Sequence, residues 1–234
     1  RDGTNDLTFM CLDANAHVRV PNPWLAVRLH SDTPWELKVK TANVIRLGTG
    51  EPKIFNDDVT IPSMLSSGIS LEEARDYQVV GCVEPDVSGK EYGWHDAGHM
   101  NMAKVLELAI NNGRCFHCNA ECPRWSKCGA LGERLGPQTG DLRTMTSFDQ
   151  VLESYDKQMK YWCDQMVSLL NAVDIAHQNV RPLPYLSTVM YGCIEKGVDV
   201  TKGGTKYNFT GPQGVGIGTA GDGLATIKQL VFEE

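Results

Sequence analysis

One long amphipathic stretch constrains the fold of this chain more than any other feature. Between Val151 and Ala176 apolar residues recur at steps of three and four, which places them along one face of an α-helix. Ser147 is a typical helix-capping residue, Gln150 follows three residues later, and the prolines of segment 182–184 end the pattern. The sequence therefore predicts a long helix with one face in the core. The predicted face consists of Val151, Tyr155, Met159, Trp162, Met166, Leu169, Val173 and Ala176.

Two shorter helices are predicted upstream. Residues 70–73, Ser-Leu-Glu-Glu, have the form of a capping box and open a short helix. A second helix is predicted over residues 97–112, with Asp96 as its N-cap and Gly113 as the glycine that follows it. Residues 78–85, a β-branched run closed by proline, are predicted as a short buried strand or an extended loop. Helices that alternate with short apolar strands indicate the α/β class.

The glycine-rich region near the end of the sequence is predicted to be irregular. Residues 207–223 are rich in glycine and threonine, and residues 216–221 match the pattern G-x-G-x-x-G. No strong strand is predicted before this pattern, which the dinucleotide-binding fold requires. We interpret it as the continuation of a pocket loop that begins at Gly211, where Gln213 contacts substrate or stabilises the turn. A nucleotide-binding enzyme is the alternative.

Charge and composition exclude several classes of protein. The chain has 22 Lys and Arg against 29 Asp and Glu, a net charge of −7, which argues against nucleic-acid partners and anionic membranes. No apolar run approaches the length of a bilayer span. The chain opens on Arg1, without a signal-like segment, and closes on an apolar run. We therefore expect an internal part of a longer cytoplasmic protein, with its 8 cysteines reduced.

A thiol and a carboxyl group lie two positions apart. On an extended segment Cys82 and Glu84 would point to the same side and face one cavity. Gly81 permits close backbone approach, and Pro85 stiffens the exit. A carboxylate disfavours a neighbouring thiolate, so the pair suits hydrogen-atom abstraction better than nucleophilic attack. The alternative, favoured by the spacing alone, is that Cys82 is a small buried hydrophobic residue.

The run Gly81-Cys82-Val83-Glu84-Pro85 resembles the active-site loop of glycyl radical enzymes, the group that includes pyruvate formate-lyase. Residues 75–113 resemble its lyase and dehydratase branch in particular. The resemblance implies that residues 1–234 are a single partial domain of a β/α barrel, with Cys82 on a loop inside the barrel. Further segments that match in the family's order are 27–30, 45–50, 55–58, 135–140 and 207–213.

The resemblance also implies a mechanism. A glycyl radical, installed by an activating enzyme that uses S-adenosylmethionine and a 4Fe–4S cluster, would oxidise Cys82 to a thiyl radical. This radical would take a hydrogen atom from a substrate carbon, and Glu84 would remove a hydroxyl proton. No permanently bound cofactor is implied. The radical glycine is expected after Glu234, so that this part alone is expected to be inactive. A cytoplasmic homodimer is implied, with enclosure in a bacterial microcompartment as an alternative.

Asp96 stands where diol dehydratases of this family bind the substrate hydroxyl. A carboxylate that caps a helix can still present its other oxygen to a ligand. We therefore predict water elimination from a small diol, such as glycerol or propane-1,2-diol, with Asp96 and Gln213 as substrate-binding residues. Other members of the family cleave the C–S bond of isethionate or the C–N bond of choline, so these two reactions are alternatives for this chain. Packing or surface roles are predicted for His30, His99 and His177, and His95 is predicted to pack or to support the site through another residue.

A cysteine-rich insertion is predicted at residues 114–134. Its first two thiols have the C-x-x-C spacing of zinc or iron–sulfur ligands, whereas the later spacings match no standard finger. The insertion also departs from the diol dehydratase pattern. A metal-stabilised binding module, in which Cys82 has no role, is therefore an alternative from another class, as is a catalytically inactive relative. The cluster consists of Cys115, Cys118, Cys122, Cys128 and His117.

Overall fold

The computed structural model describes residues 6–20, 22–81, 83–115 and 134–233, which form two compact units. The first unit comprises the residues up to Gly93 together with Leu183–Phe209, and the second comprises Trp94–Pro182 together with the residues from Thr210. Both units contain helices and short strands, as expected for the α/β class. Among the described residues, no helix has both the length and the apolar composition that crossing a bilayer requires.

The described elements follow one another in this order. The helices are α1 (Asp6–Val18), α2 (Trp35–Ile45), α3 (Asp57–Ser66), α4 (Leu71–Arg75), α5 (Met102–Ile110), α6 (Phe148–Val180), α7 (Pro184–Val189), α8 (Cys193–Lys196) and α9 (Ile217–Ile227). The strands are β1 (Ala26–Leu29), β2 (Lys53–Asn56), β3 (Gln78–Val80), β4 (Glu84–Asp86), β5 (Trp94–Asn101) and β6 (Thr210–Val215). Short 3₁₀ helices span Leu142–Thr144 and Val200–Lys202, and a π-helical segment spans Lys228–Glu233.

The first unit is built on two pairs of strands. β1 and β2 run parallel, with Arg28 opposite Phe55, and β3 and β4 form an antiparallel hairpin. One apolar core joins β2, α3 and α4 to this hairpin, and each large side chain in it contributes about 1.5–3 kcal/mol by burial. Its buried members are Phe55, Met64, Ile69, Ala74, Tyr77 and Val87, with Ile61, Val79 and Tyr207 packed against them.

The predicted helix start at residue 70 is confirmed. The hydroxyl of Ser70 accepts the backbone N–H of Glu73 at 3.4 Å, so Ser70 is the N-cap of α4. The hydroxyl in turn donates to the Glu73 carboxylate at 2.8 Å. α4 ends at Arg75, where the chain turns into β3.

Residues 78–85 do not form one extended run. The chain reverses at Gly81, which has φ +55°, and Val80 pairs with Glu84 across the hairpin. The alternation of side chains along a strand therefore does not apply to Cys82 and Glu84, because a turn lies between β3 and β4. Cys82 itself lies outside the described residues.

The predicted helix over residues 97–112 is wrong at its start. Residues 94–101 form β5, and α5 begins only at Met102, because the Asn101 side chain accepts the N–H of Lys104 and caps that helix. Asp96 therefore lies within a strand and is not an N-cap. Gly98 suits the strand because a Cβ there would lie 3.3 Å from Leu170 on α6.

α5 ends as a Schellman motif. Asn112 has φ +53°, and the N–H of Gly113 donates to the carbonyl of Leu108 at 2.7 Å. Gly113 thus stands one position later than predicted, because Asn112 takes the left-handed conformation first. The buried face of α5 consists of Val105, Leu106, Leu108 and Ala109.

Residues 210–227 are not a loop, contrary to the prediction. β6 runs parallel to β5, and α9 starts directly after Gly216, which has φ +80°. The glycines reflect close packing: a Cβ on Gly214 would lie 2.9 Å from the Met102 sulfur, and one on Gly223 would lie 2.9 Å from Leu106. The G-x-G-x-x-G pattern therefore does follow a strand and enter a helix.

The long helix α6 is confirmed, with two differences. Ser147 is its N-cap but makes no side-chain cap bond, and the Gln150 side chain instead accepts the N–H of Thr146 at 2.9 Å. The buried face also departs from the predicted stripe near the C-terminal end. Leu169 is 62% exposed, whereas Leu170 is buried against Gly98.

Candidate active site

The Glu84 carboxylate folds back over the hairpin turn. Its Oε2 accepts the backbone N–H of Val83 at 2.8 Å and would lie 3.2 Å from a Cβ placed on Gly81. Glu84 is half-buried. Positive φ and this close approach explain why glycine occupies position 81.

Two buried carboxyl groups belong to the end of the hairpin and the segment after it. Asp86, at the end of β4, accepts a 2.7 Å hydrogen bond from the Gln78 side chain of β3, which ties the two strands together. Glu91 is also buried and accepts the N–H of Val87 at 3.2 Å. Burial, reinforced by the charge of Asp86, raises the pKa of Glu91 to about 7. The Glu91 carboxyl group is therefore partly protonated near neutral pH.

An arginine joins the hairpin to the parallel strand pair. The Arg28 guanidinium on β1 forms a two-pronged ion pair with Asp57 at 2.9 and 2.8 Å. It also donates to the carbonyls of Tyr77 and Arg75, at 3.1 and 3.0 Å, and lies 3.8 Å from the centroid of the Tyr77 ring. These contacts converge on the segment that leads into β3. Sequence reasoning singled out residues 27–30 only as part of a family resemblance and gave Arg28 no role.

The Glu73 carboxylate is the centre of a second network. Lys206 donates to it at 2.7 and 2.9 Å, Tyr207 at 2.6 Å and Lys90 at 2.9 Å, in addition to the bond from Ser70. The bonds from Lys206, Tyr207 and Lys90 hold the pKa of Glu73 far below its ordinary value. This network joins α4 to a distant part of the sequence, since Lys206 follows Glu73 by 133 positions.

Asp96 occupies a strained position in the second unit. The pairing of β5 with β6 slips between His95 and Gly98, which leaves Asp96 in a β-bulge with φ +63°. Its Oδ1 lies 2.8 Å from Nε2 of His99, and both side chains are more than half exposed. A left-handed aspartate costs about 1 kcal/mol, and strain of this kind is concentrated at functional sites.

The strand pair also brings Gln213 to this region. Gln213 of β6 stands opposite His99 in the register, so the bonding partner of Asp96 and the predicted substrate amide are neighbours. His99 was assigned only a packing or surface role from the sequence, because no local pattern indicated its bond to Asp96. Glu84 belongs to the first unit, and Asp96 and Gln213 belong to the second.

Comparison with known proteins decides the family. The family model described as "Pyruvate formate lyase-like" matches residues 1–234. The chain belongs to the pyruvate formate lyase-like family. The resemblance predicted from the cysteine loop is thereby confirmed.

Several of the proteins to which the chain is similar are dehydratases. The chain is 52% identical over 233 residues to (2S)-3-sulfopropanediol dehydratase of Klebsiella oxytoca, a match that covers 100% of this chain and 27% of that protein. The B12-independent glycerol dehydratase of Clostridium butyricum, solved with glycerol bound, matches with a TM-score of 0.79 and 41% identity over 99% of this chain and 28% of that one. A structure on 1,2-propanediol dehydration in Roseburia inulinivorans matches with a TM-score of 0.78 and 43% identity, over 100% of this chain and 27% of that one.

These matches confirm the predicted fold class, a portion of the family's α/β barrel, and its dehydratase branch. The chain spans little more than a quarter of the length of these relatives, at 27% and 28%.

Two remaining predictions concern side chains of the second unit. His177 has the predicted packing role, since its ring stacks on Trp94 with 4.4 Å between centroids. Of the proposed thiol cluster, only Cys115 lies within the described residues; it is buried, and Lys104 donates to its sulfur at 3.0 Å. Cys118, Cys122, Cys128 and His117 lie outside the described residues.

Proposed function

We propose that this chain carries the thiol, the base and part of the substrate pocket of a radical diol dehydratase. We further propose that its substrate is a vicinal diol with a sulfonate group, such as (2S)-3-sulfopropanediol. The observation that carries the proposal is the 52% identity to the Klebsiella oxytoca enzyme along essentially the whole chain. Identity to the glycerol and 1,2-propanediol dehydratase structures is lower, at 41% and 43%, so these diols are the second choice.

In the proposed reaction, Cys82 gives up one hydrogen atom to a glycyl radical and becomes a thiyl radical. The thiyl sulfur then takes a hydrogen atom from the carbon that bears one hydroxyl group. Glu84 removes the proton of that hydroxyl, and the neighbouring hydroxyl leaves as water with a proton from the pocket. The product radical takes a hydrogen atom back from Cys82, which yields an aldehyde and regenerates the thiyl radical. The thiyl radical then recovers a hydrogen atom from the glycine and restores the glycyl radical. No net oxidation occurs, because the hydrogen atom taken from the substrate is returned.

The geometry around Glu84 supports its role as the base. A general base must reach the substrate hydroxyl within hydrogen-bond distance, and the half-buried carboxylate above the turn is held in place by the N–H of Val83 at 2.8 Å. Asp96, strained in its bulge and bonded to His99, is suited to accept a hydrogen bond from a substrate hydroxyl. Gln213 beside it would contact the same substrate.

The cofactor, the partners and the location are part of the same proposal. The radical is installed on a glycine by an activating enzyme that uses S-adenosylmethionine, and the protein works as a homodimer in the cytoplasm. The net charge of −7 supports a small-molecule substrate over a nucleic acid.

The test uses the full-length protein that carries this chain. It is activated without oxygen by its activating enzyme and S-adenosylmethionine, and the glycyl radical is quantified by electron paramagnetic resonance. Values of kcat/KM are then measured for (2S)-3-sulfopropanediol, glycerol and propane-1,2-diol, with isethionate and choline as C–S and C–N lyase substrates. Cys82→Ser is compared with Cys11→Ser, a change at an exposed thiol.

We expect a glycyl doublet and dehydration of the sulfonated diol with the highest kcat/KM. Cys82→Ser should abolish turnover and leave the doublet, whereas Cys11→Ser should behave as wild type. Preference for glycerol or propane-1,2-diol would overturn the choice of substrate alone. Turnover of only isethionate or choline would overturn the dehydration. A protein without the doublet and without turnover would overturn the radical mechanism.

A further inference from the structure

We propose that Arg28 is a positioning residue that holds the β3–β4 hairpin in place for hydrogen transfer and proton removal. The inference rests on the proposed function, because Glu84 of this hairpin is the proposed base. Arg28 is outside the residues assigned to the reaction and acts only through the backbone that leads into β3.

One short segment and one aspartate accept four hydrogen bonds from the Arg28 guanidinium. Of its five N–H donors, two bond the Asp57 carboxylate, one bonds the Tyr77 carbonyl, and Nη2 reaches the Arg75 carbonyl as well. Its charge lies 3.8 Å from the centre of the Tyr77 ring. The Arg28 side chain thus holds the residues between the end of α4 and the start of β3 in place.

Asp57 fixes the orientation of the Arg28 guanidinium. It is the first residue of α3 and follows β2, the strand paired with the strand of Arg28, so both partners stand on the same rigid pair. The Tyr77 hydroxyl donates to Asp57 Oδ1 at 2.7 Å and completes the network. Burial acts to raise the pKa of Asp57, but the bonds from Arg28 and Tyr77 outweigh it and hold the pKa below its ordinary value. The ion pair therefore persists at neutral pH.

The hairpin needs this external support. β3 and β4 have only three residues each and pair within the described residues only with each other. A hairpin of two short strands is marginally stable alone. It is held at one end by the Gln78–Asp86 bond and by packing of Val79 and Val87, while Tyr77 fixes its entry. A small shift at Tyr77 would be passed along the three residues of β3 to Glu84, which pairs with Val80 at the end of that strand.

Lysine cannot reproduce this contact. An ammonium group is a single point of charge, whereas the planar guanidinium bonds a carboxylate with two prongs and two carbonyls at once. Arg28→Lys should therefore keep the ion pair with Asp57 but lose the carbonyl contacts. Because the charge and the apolar stem remain, the fold should be retained.

The experiment compares wild type with Arg28→Lys and Tyr77→Phe in the full-length, activated protein. Arg143→Lys is the matched control, because Arg143 also forms a two-pronged pair with an aspartate, Asp141, but is 84% exposed. Glycyl radical content, thermal unfolding, kcat, KM and the isotope effect with substrate deuterated at the reacting carbon are measured for each variant.

We expect Arg28→Lys to lower kcat by about 10–100-fold, with radical content, KM and unfolding temperature near the wild-type values. The deuterium isotope effect on kcat should rise, because misplaced hydrogen transfer becomes rate-limiting. Tyr77→Phe, which loses one hydroxyl bond, should show the same changes to a smaller extent, and Arg143→Lys should show none.

Unchanged kcat in Arg28→Lys would overturn the inference. A fall in kcat that only follows a fall in unfolding temperature or in radical content, with an unchanged isotope effect, would overturn it as well, because the role would then be structural. If Arg28→Lys does not fold, the same criteria apply to Tyr77→Phe. Failure of the proposed function is distinguishable, since wild type itself would then show neither radical nor turnover.

Discussion

The Glu84 carboxylate rests on the backbone of Gly81, 3.2 Å from the place that a side chain there would occupy. The same carboxylate oxygen accepts the N–H of Val83 at 2.8 Å, so the turn fixes the position of the proposed base. The hairpin thus holds the Glu84 carboxylate in a fixed place.

Gly81→Ala should therefore impair catalysis more than folding. The new methyl group would meet the carboxylate and shift it, and we expect kcat to fall by about 10-fold or more. Alanine at φ +55° should also cost about 1 kcal/mol of unfolding free energy. Gly197→Ala is the matched control, because Gly197 has φ +62° and open space around its Cβ position. Equal losses of kcat in both variants would contradict this account.

Glu84→Gln should remove the base and keep the turn. A glutamine side chain can still accept the Val83 N–H through its oxygen, but it cannot take a proton from the substrate. We expect kcat to fall by about 10²–10⁴-fold, with the glycyl radical and KM preserved. Steady-state kinetics and electron paramagnetic resonance check this, with the exposed Glu153→Gln as control. Retained kcat in Glu84→Gln would remove Glu84 from the mechanism.

The sequence predicted correctly those elements that depend on residues close together in the chain. The cap at Ser70 and the long helix α6 follow from one side-chain bond and from a repeated apolar spacing, both visible within a few residues. The family resemblance likewise rested on contiguous runs such as residues 81–85.

The strand pair β5–β6 could not be predicted in this way. Its two strands are separated by more than a hundred residues, and β6 contains two glycines and a proline among six residues, which usually indicates a loop. Gly98 and Gly214 are required because Leu170 and Met102 pack where their side chains would be. Contacts between residues distant in the chain produce no recognisable pattern in a short stretch of sequence. The strained bulge at Asp96 was missed for the same reason.

Asp96→Gly should lower activity without lowering stability. Glycine adopts φ +63° freely, so the variant should gain about 1 kcal/mol of unfolding free energy or lose none. It should lose about 10–100-fold in kcat/KM, because a charged hydrogen bond to the substrate hydroxyl is removed. Arg19→Gly, another non-glycine residue at positive φ (+54°), should show no loss of activity. Denaturant unfolding and kinetics measure both effects, and wild-type kcat/KM in Asp96→Gly would rule out its substrate role.

Glu73 should make the first unit sensitive to acid. Its pKa is held far below the ordinary value of 4.5, so its stabilising effect is fully present above that pH and is lost as the pH falls below it. Glu73→Gln should lower the unfolding free energy by about 2 kcal/mol at pH near 7, less than for a fully buried pair because its lysine partners are two-fifths exposed, at 40% and 41%.

The difference between wild type and Glu73→Gln should therefore shrink as the pH falls below about 4, because the Glu73 carboxylate of the unfolded chain gains a proton there while that of the folded chain stays ionised. Hydrogen–deuterium exchange of residues 70–76 and 205–208, followed against pH, measures this locally. Glu72→Gln is the matched control, because Glu72 is its exposed neighbour on α4 and should show little change at any pH. A difference that is independent of pH would mean that Glu73 acts through packing and not through its charge.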